Sequence, residues 1–347
     1  MAGDEAQIEG VDLAILNVWM DDQGLPEGRI ENITPLMGGT QNILVRFVRG
    51  GRDFVLRRPP IHKRANSDET MRREARVLGA LAGSDVPHPG LIAACPEEAL
   101  IGAAFYLMEP VDGWGIGAGL PDLHENDPEV QRGMGLAMAE GIARLGRVDY
   151  QAVGLDGLGR PEGYLERQVV RWRRQLDSYS EMEGYPGPEI PGVDRVAAWL
   201  EANRPAEKPP GILHGDYHIG NVMFCHDGPG LAAIVDWELA TIGDPLLDLG
   251  ALLISWPDED GHTPLGGASG GGLAHPAPAA ELIARYGEHS DRDLSDLEWY
   301  VVLAAYRLGI ILEGSHARAC AGRAPKEIGD LLHATTVALF EKALRYV

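Results

Sequence analysis

One octapeptide carries most of the functional information in this 347-residue chain, His214-Gly215-Asp216-Tyr217-His218-Ile219-Gly220-Asn221. Asp236 follows it fifteen residues later. An aspartate can accept the proton of an attacking hydroxyl, whereas an amide and a second carboxylate are oxygen ligands of the kind that Mg²⁺ prefers. The spacing of Asp216, Asn221 and Asp236 is one that phosphoryl transfer can use, so the pattern predicts a catalytic base beside a magnesium site.

The residues that follow Asp216 predict a β-hairpin. Two short apolar runs, 221–224 and 231–235, flank a turn cluster that contains the dipeptide Asp-Gly, a combination typical of hairpins. Asn221 opens the first strand and Asp236 follows the second, so both lie at the same end of the hairpin. Because Asp216 is in the loop just before it, we expect the three side chains to converge.

This motif resembles the catalytic and metal-binding segments of the aminoglycoside phosphotransferase family, in particular the phosphotransferase-like domains associated with acyl-CoA dehydrogenases. The family pattern is His-Gly-Asp, four residues, Asn, and then Asp at the end of the next hairpin strand. Three further stretches support the resemblance, 55–60, 159–168 and 236–249. It implies an α+β, two-lobed protein-kinase-like fold with a small β-rich N-terminal lobe and a larger helical C-terminal lobe.

The division that we expect places a nucleotide-binding lobe with a hinge at its end in residues 1–109, and a catalytic and substrate-binding lobe in residues 110–347. Strand-like patterns occupy 30–60 and 100–108, before a glycine-rich bend, and a loop is predicted at 261–280. Helical patterns are predicted at 11–20, 67–82 with Ser67 as N-cap, 129–147, 164–179, 194–203, 294–322 and 328–346.

Gly38 and Gly39, followed by Thr40, lie between two strand-like runs. Paired glycines let backbone amides approach phosphate oxygens closely, although they also form ordinary hairpin turns. The resemblance implies that this segment is the loop that covers ATP or GTP. It also implies that the backbone of Met108 and Glu109 binds the nucleotide base at the hinge.

Arg57 stands at the end of a predicted strand, where kinase-like folds carry a phosphate-binding lysine. Arginine offers a planar fork rather than a point charge, so the nearby Arg58 and Lys63 remain alternative phosphate contacts. Glu74, in the predicted helix 67–82, is expected to pair with the cation. The alternative for Glu74 is a solvated charge with partners one helical turn away.

Polar residues on the otherwise apolar helix 294–322 are candidates for contacts to the acceptor, and we select Arg307 and Glu313. The expected partner is a small molecule with a free hydroxyl. The acyl-CoA dehydrogenase branch implies a hydroxyacyl-type metabolite, whereas the acidic composition is compatible with an aminoglycoside-like cation. Both acceptor classes remain open at this point.

The formal net charge of -22 argues against nucleic acid and anionic membranes as partners. No run approaches the ~18 apolar residues of a membrane span, and the acidic N-terminus lacks the apolar stretch of a secretory signal. Three widely spaced cysteines fit a reducing compartment. We therefore expect a cytoplasmic protein, and its oligomeric state has no signal in the sequence.

Two other functions stay open. A non-catalytic nucleotide-binding module is favoured by Arg57 in place of lysine and opposed by the intact catalytic motif. A metal-dependent hydrolase would bind a transition metal such as zinc through His214, Asp216, His218 and Asp236. The glycines of the motif break any helix that would place both histidines on one face, and packing of His214 behind the loop is the competing interpretation.

Overall fold

The computed structural model describes residues 8–36, 42–258, 263–265 and 272–347. Its N-terminal part contains the strands β1 (Ile30–Pro35), β2 (Ile43–Arg49), β3 (Arg52–Arg58), β4 (Leu91–Cys95) and β5 (Phe105–Met108). These strands form one antiparallel sheet in the order β1-β2-β3-β5-β4. Helix α1 (Leu13–Asp22) precedes the sheet in the chain, and α2 (Ser67–Leu81) follows β3.

An apolar cluster lies between the sheet and α1. Phe47 and Phe54 are direct cross-strand partners of β2 and β3, and their rings stack with centroids 5.5 Å apart. From α1, Leu16 and Met20 enter the same cluster and are fully buried. The end of β3 is buried as well, so Arg57 is held inside the protein rather than at its surface.

Helix α2 presents an apolar face to the core and carries the predicted pairing residue. Met71 and Leu78 are buried on that face, and Glu74 lies between them along the helix and is 1% exposed. The predicted N-cap is wrong by one residue, because the helix begins at Ser67 and Asn66 occupies the cap position. The Ser67 hydroxyl instead accepts a hydrogen bond from the backbone N–H of Arg64.

The C-terminal part is mainly helical. Its helices are α3 (Asp122–Asn126), α4 (Pro128–Arg147), α5 (Tyr164–Ser178), α6 (Val193–Ala202), α7 (Leu246–Ser255), α8 (Ala279–Glu288), α9 (Leu297–Cys320) and α10 (Lys326–Ala343). Two short antiparallel pairs lie between α6 and α7 in the chain, β6 (Gly211–Leu213) with β9 (Thr241–Gly243) and β7 (Val222–Phe224) with β8 (Leu231–Ile234). The β7–β8 pair is the predicted hairpin, and the β6–β9 pair encloses it.

The expected architecture, a small sheet-based lobe and a larger helical lobe, is confirmed. The main departures are local: the strand predicted over 100–108 occupies only its last four residues, and helices α7 and α8 were not predicted. The predicted nucleotide loop with Gly38, Gly39 and Thr40 lies outside the described residues, as does part of the loop predicted at 261–280. No helix among the described residues is both long and apolar enough to cross a membrane.

Candidate active site

The loop between β6 and β7 is held by a buried carboxylate. Asp248, in the first turn of α7, accepts hydrogen bonds from the backbone amides of His214 at 2.6 Å and Gly215 at 2.9 Å. Gly215 has a φ of +84°, and a Cβ at this position would lie 2.4 Å from the carbonyl oxygen of Leu239. Only glycine fits there, so the close approach of the loop to Leu239 just before Asp216 requires this residue.

His214 is fully buried and supports the loop from behind. Its Nε2 lies 2.9 Å from the carbonyl oxygen of Val235, and its Nδ1 accepts from the amide of Asp216 at 3.3 Å. Since a carbonyl can only accept, the ring proton is assigned to Nε2. The ring also packs edge to face on Trp237, with centroids 4.9 Å apart. His214 is therefore a positioning residue, as the interpretation that competed with zinc binding expects.

Asp216 and Asn221 are joined directly. The Asn221 Nδ2 group donates to the main-chain oxygen of Asp216 at 2.9 Å and to its carboxylate Oδ2 at 3.1 Å. Burial raises the pKa of Asp216, but His218, His214 and Arg307 together outweigh it, and the pKa lies below the usual value. The Asp216 carboxylate is thus ionised and able to accept a proton at neutral pH.

Asp236 joins this pair through the register of the hairpin. Val222 pairs with Ile234, and the amide of Val235 donates to the carbonyl of Asn221 at 2.9 Å, which puts Asp236 at the same end as Asn221. Asp236 has a left-handed backbone, with a φ of 65°. This conformation is costly for a residue with a Cβ, and such strain persists mainly at functional positions.

Arg57 connects the small lobe to this group. Its Nε lies 2.8 Å from Glu74 Oε2, and its Nη2 lies 2.7 Å from Asp236 Oδ1. The Tyr106 hydroxyl donates to Glu74 Oε2 at 2.7 Å. Burial opposes the charge of Arg57, but Glu74 and Asp236 outweigh it and raise its pKa, whereas burial raises the pKa of Glu74 despite Arg57. The pairing of Arg57 with Glu74 that the sequence predicts is present.

The two alternative cations are engaged elsewhere. Arg58 donates to the carbonyl oxygens of Pro59 and Gly10. Lys63 pairs with Asp68 at 2.7 Å and with Glu98 at 3.0 Å. Of the three candidates, Arg57 is the one that the fold directs to the catalytic motif.

A third carboxylate, that of Glu238, lies near Arg57, and it was not among the site residues predicted from the sequence. Oxygen atoms of Glu74, Asp236 and Glu238 all lie within 4.8 Å of one another. Burial, followed by the charges of Asp236 and Glu74, raises the pKa of Glu238. In the sequence, its position two residues after Asp236 is the feature that could have pointed to it. Carboxylate oxygens such as those of Asp236 and Glu238, and the amide oxygen of Asn221, are hard donors of the kind that fits Mg²⁺.

The predicted hinge lies at the end of β5. Met108 pairs with Val55 of β3 and Leu91 of β4. The backbone amide of Glu109 donates to the carbonyl of Gly90 at 2.8 Å. Because this amide is used inside the protein, a nucleotide base at the hinge would have to bind other backbone groups of the segment.

The two predicted acceptor contacts are separated by the fold. Arg307 shares a pocket with Asp216, and its guanidinium lies 5.6 Å from the ring centre of Trp172. Glu313 does not line this pocket. It is fully buried and bonded to Tyr185 at 2.7 Å and to His333 at 2.8 Å.

The pocket that contains Arg307 is otherwise largely apolar. Its apolar lining residues are Ala251, Ile254, Leu265, Ala304, Leu308 and Ile311. Within the described ranges of the chain, no carboxylate lies within 4 Å of the Arg307 guanidinium. Among the described residues, the pocket lining therefore combines the Asp216 carboxylate, the Arg307 guanidinium and apolar walls.

Comparison with known proteins assigns most of the chain to one family. The model of the phosphotransferase enzyme family matches residues 32–298. Acyl-CoA dehydrogenase family member 11 of Gallus gallus is 29% identical over 92% of this chain and 40% of its own length. A probable acyl-CoA dehydrogenase of Arabidopsis thaliana is 31% identical over 85% of this chain and 37% of its own length. The chain thus spans about two fifths of these relatives.

Solved structures show the same fold. A provisionally assigned aminoglycoside phosphotransferase of Ralstonia eutropha aligns with a TM-score of 0.77 and 30% identity, over 96% of this chain and 98% of that one. The GDP complex of aminoglycoside 2'-phosphotransferase-IIIa aligns with a TM-score of 0.62 over 96% and 98% of the two chains. Its 16% identity supports the fold alone. The chain therefore belongs to the phosphotransferase enzyme family and has the two-lobed fold of the aminoglycoside phosphotransferases.

Proposed function

We propose that this protein transfers the γ-phosphoryl group of ATP or GTP to a hydroxyl group of a small molecule, with Mg²⁺ bound at Asn221 and Asp236. The observation that carries the proposal is the chain of contacts in which Asn221 bonds the Asp216 carboxylate while Asp236 contacts Arg57. The register of the β7–β8 hairpin brings these two pairs to the same end of the hairpin, which supports a base, two oxygen ligands and a phosphate-binding cation acting together. Membership of the phosphotransferase enzyme family supports the same chemistry.

Each residue has a distinct task in this proposal. Asp216 orients the acceptor hydroxyl and takes its proton while the hydroxyl oxygen bonds to the γ-phosphorus and the bond to the leaving nucleoside diphosphate breaks. Arg57, held by Glu74, steadies the phosphates. Mg²⁺, when bound, would neutralise part of the negative charge of the phosphates. The rate gain arises mainly from positioning and electrostatic stabilisation.

A non-catalytic nucleotide-binding module is the second candidate, and one observation favours it. Arg57 Nη2 lies 2.7 Å from Asp236 Oδ1, so one oxygen of the proposed metal ligand is already paired with a cation. The Asp236 side chain is 36% exposed and has a second oxygen, and Asp216 is ionised. We therefore favour catalysis, and an assay of labelled phosphate transfer distinguishes a phosphotransferase from a non-catalytic module.

The acceptor pocket favours one of the two open substrate classes. Arg307 would attract an anionic group and the apolar walls would cover a hydrocarbon part, a combination found in a hydroxyacyl-type compound. A polycationic aminoglycoside would bring like charge toward Arg307. The net charge of the whole chain says little about a single pocket, so we give the lining residues more weight.

The experiment measures thermal stability and phosphate transfer in one series. ATP and GTP are titrated with and without Mg²⁺, and labelled γ-phosphate transfer is then assayed with hydroxy acids, their thioesters and aminoglycosides. We expect a Mg²⁺-dependent stabilisation and transfer to the anionic acceptors. Nucleotide binding with no transfer to any acceptor and no hydrolysis would favour the non-catalytic module.

Asp216→Asn is the variant that tests the base. It should retain nucleotide binding and lose at least about 100-fold in turnover, since proton acceptance contributes roughly 10²–10⁴-fold. Asp227→Asn, in the turn of the same hairpin, is the matched control and should transfer phosphate normally. Near-normal turnover of Asp216→Asn would remove Asp216 from the role of base.

A further inference from the structure

Glu313 belongs to a second cluster of ligating side chains, which the proposed phosphotransfer does not use. Glu313 and His316 are three residues apart on α9 and therefore lie on one face of the helix. His333 faces them from α10. One ligand atom from each of the three residues lies within 4.8 Å of the other two.

The carboxylate of Glu313 is the buried centre of this cluster. It is fully buried, accepts from the Tyr185 hydroxyl at 2.7 Å and contacts His333 Nδ1 through its other oxygen at 2.8 Å. A buried carboxylate is costly unless a cation or several donors balance it. The Tyr185 hydroxyl and the His333 imidazole balance the charge of this carboxylate only in part, so a bound cation would stabilise it further.

His316 has one committed and one unused nitrogen. Its Nε2 lies 3.5 Å from the sulfur of Cys320, whereas its Nδ1 is buried without a hydrogen-bond partner among the described residues. Asp330, at 3.9 Å from Nδ1, is too distant for a hydrogen bond. The rings of His316 and His333 stack with centroids 4.6 Å apart. With the proton assigned to Nε2, Nδ1 is an acceptor that has no donor within the part of the chain that the structure describes.

We propose that Glu313, His316 and His333 form a binding site for a divalent transition-metal cation of the Zn²⁺ class. Two imidazoles and one carboxylate are a ligand set that zinc accepts, with water in the fourth position. Imidazole donors disfavour Mg²⁺ and Ca²⁺, which prefer oxygen. The bound cation would balance the Glu313 charge and give the unused His316 nitrogen a partner.

Small movements would complete the site. Tetrahedral ligands at about 2.0–2.2 Å from zinc are about 3.4 Å apart, so His333 Nδ1 and Glu313 Oε2 would separate by roughly half an ångström. The metal would replace the proton between these two atoms, and the His333 ring would carry its proton on Nε2. The His316 and His333 side chains are 13% and 24% exposed, which provides an entry path.

Such a cation would link α9 to α10 in the helical lobe. Tyr185, which follows α5 in the chain, would be tied to the same point through its bond to Glu313. Cys320 would act on the metal indirectly, because its sulfur accepts from His316 Nε2 and thereby holds the ring with Nδ1 toward the cation.

Binding is tested on the full chain after removal of metal with a chelator. Zn²⁺ is titrated by calorimetry and by thermal shift, and Co²⁺ is added as a spectroscopic substitute. We expect a site whose Zn²⁺ affinity falls by more than about 100-fold in His333→Ala and in His316→Ala, since loss of a ligand exceeds the 10–100-fold typical of supporting residues. His226→Ala, a histidine at the surface, is the matched control and should bind like the wild type.

Asp236→Ala separates this site from the carboxylates at the catalytic motif, and its Zn²⁺ binding should equal that of the wild type. Equal binding by all variants would show adventitious surface binding and overturn the proposal, as would the absence of any binding to the wild type. Retention of the site in Asp236→Ala together with its loss in the two histidine variants would support it.

Two further measurements keep the test decisive if a histidine variant fails to fold. The Co²⁺ spectrum of the wild type should show a tetrahedral site without a sulfur-to-metal charge-transfer band, because Cys320 contacts the metal only through His316. Glu313→Gln, which can still accept from Tyr185, should lower Zn²⁺ affinity. An unchanged affinity in Glu313→Gln would contradict the proposal.

Discussion

Arg57 stands at a position where the pattern of kinase-like proteins has a lysine. A guanidinium stands where an ammonium is usual, and its fork reaches Glu74 and Asp236 at the same time. Arginine keeps its charge when buried, and its planar donors match two carboxylates better than a point charge does. One side chain thereby connects the small-lobe helix α2 with the end of the hairpin that carries Asp236.

The first prediction concerns the free energy of unfolding. Arg57→Met should destabilise the protein by about 3–5 kcal/mol, because it leaves the Glu74 carboxylate buried without its cation. The double variant with Arg57 and Glu74 both changed to Met should recover most of that loss. Urea unfolding measures both values, and a double variant as unstable as Arg57→Met would contradict the prediction.

The control is an ion pair at the surface of the same sheet. Arg46 and Asp53 lie 2.8 Å apart with side chains 49% and 40% exposed. Exposed pairs contribute at most about 1 kcal/mol. Arg46→Met should therefore change the unfolding free energy far less than Arg57→Met does.

At the scale of elements, α7 connects the catalytic loop to the C-terminal helix. Its first turn provides Asp248, which binds the loop amides. Its last carbonyls, those of Leu253 and Ile254, accept from Lys342 of α10, which also donates to Trp256. The helix is buried on nearly all sides, which explains why no amphipathic period marks it in the sequence.

The second prediction tests the first turn of α7. Asp248→Asn replaces one acceptor oxygen by an amide that faces the N–H groups of His214 and Gly215, so the loop should loosen. We expect turnover to fall by at least about tenfold, because small misplacements of catalytic groups are costly. Nucleotide affinity should change little, and steady-state kinetics with binding titrations measure both.

Asp244→Asn is the matched control for that variant. Asp244 is also buried, but it bonds the Tyr300 hydroxyl at 2.6 Å and the amide of Leu246 rather than the loop. It should lower stability with a smaller effect on turnover. Equal losses of turnover in both variants would indicate a general effect of destabilisation.

The third prediction concerns pH and the last turn of α7. Burial lowers the pKa of Lys342 from 10.5 to about 8, so between these values the unfolded chain binds a proton that the folded protein does not. The unfolding free energy should therefore rise with pH through this window, by up to about 3 kcal/mol. Urea unfolding of wild type and Lys342→Met should show this rise only in the wild type.

Lys208→Met provides the control, since Lys208 pairs with Asp293 and Asp296 at the surface. It should keep the pH dependence of the wild type. Buried tyrosines such as Tyr286, whose pKa burial raises to about 12, act in the opposite direction above pH 10 in all three proteins. The difference between the variants is thus read from pH 8 to pH 10, and equal slopes there would contradict the prediction.

At the scale of the whole molecule, the division into two apolar clusters does not coincide with the division into two lobes. The sheet and α1 have a small apolar cluster of their own, but the buried face of α2 belongs to the large cluster that continues through the helical lobe. Tyr106 of β5 joins that large cluster as well. The boundary proposed between residues 109 and 110 therefore separates elements that share one core.

The fourth prediction follows from this shared core. Leu78→Ala, at a position 1% exposed on α2, should cost about 2–5 kcal/mol. Because α2 packs with both lobes, we expect one calorimetric transition and an equal loss of amide protection in β3 and α9, measured by hydrogen exchange. Two transitions, or a loss confined to the sheet, would show that the lobes unfold independently.

The sequence predicted the features that depend on neighbouring residues. The motif from His214 to Asn221, the turn and the strand before Asp236 specify the hairpin locally, so their convergence was visible without coordinates. The pairing of Arg57 with Glu74 was also predictable, although only from the family pattern. Helix α7 was missed because it is buried on nearly all sides, and Glu238 was missed because its closeness to Glu74 joins segments far apart in the chain.

What the sequence determined by itself was which chemical groups the motif offers, since residue type fixes which groups can transfer a proton or bind a metal, and, through the family resemblance, the class of fold. Apart from the pairing of Arg57 with Glu74, tertiary structure alone decided which of these charges are in contact. It brought Arg57 into contact with Asp236 and gave Arg58 and Lys63 other partners. It placed Glu313 beside the histidines of α9 and α10 and not in the pocket predicted for the acceptor. The physical reason is that ion pairing and burial depend on distances between segments far apart in the chain, which local patterns do not encode.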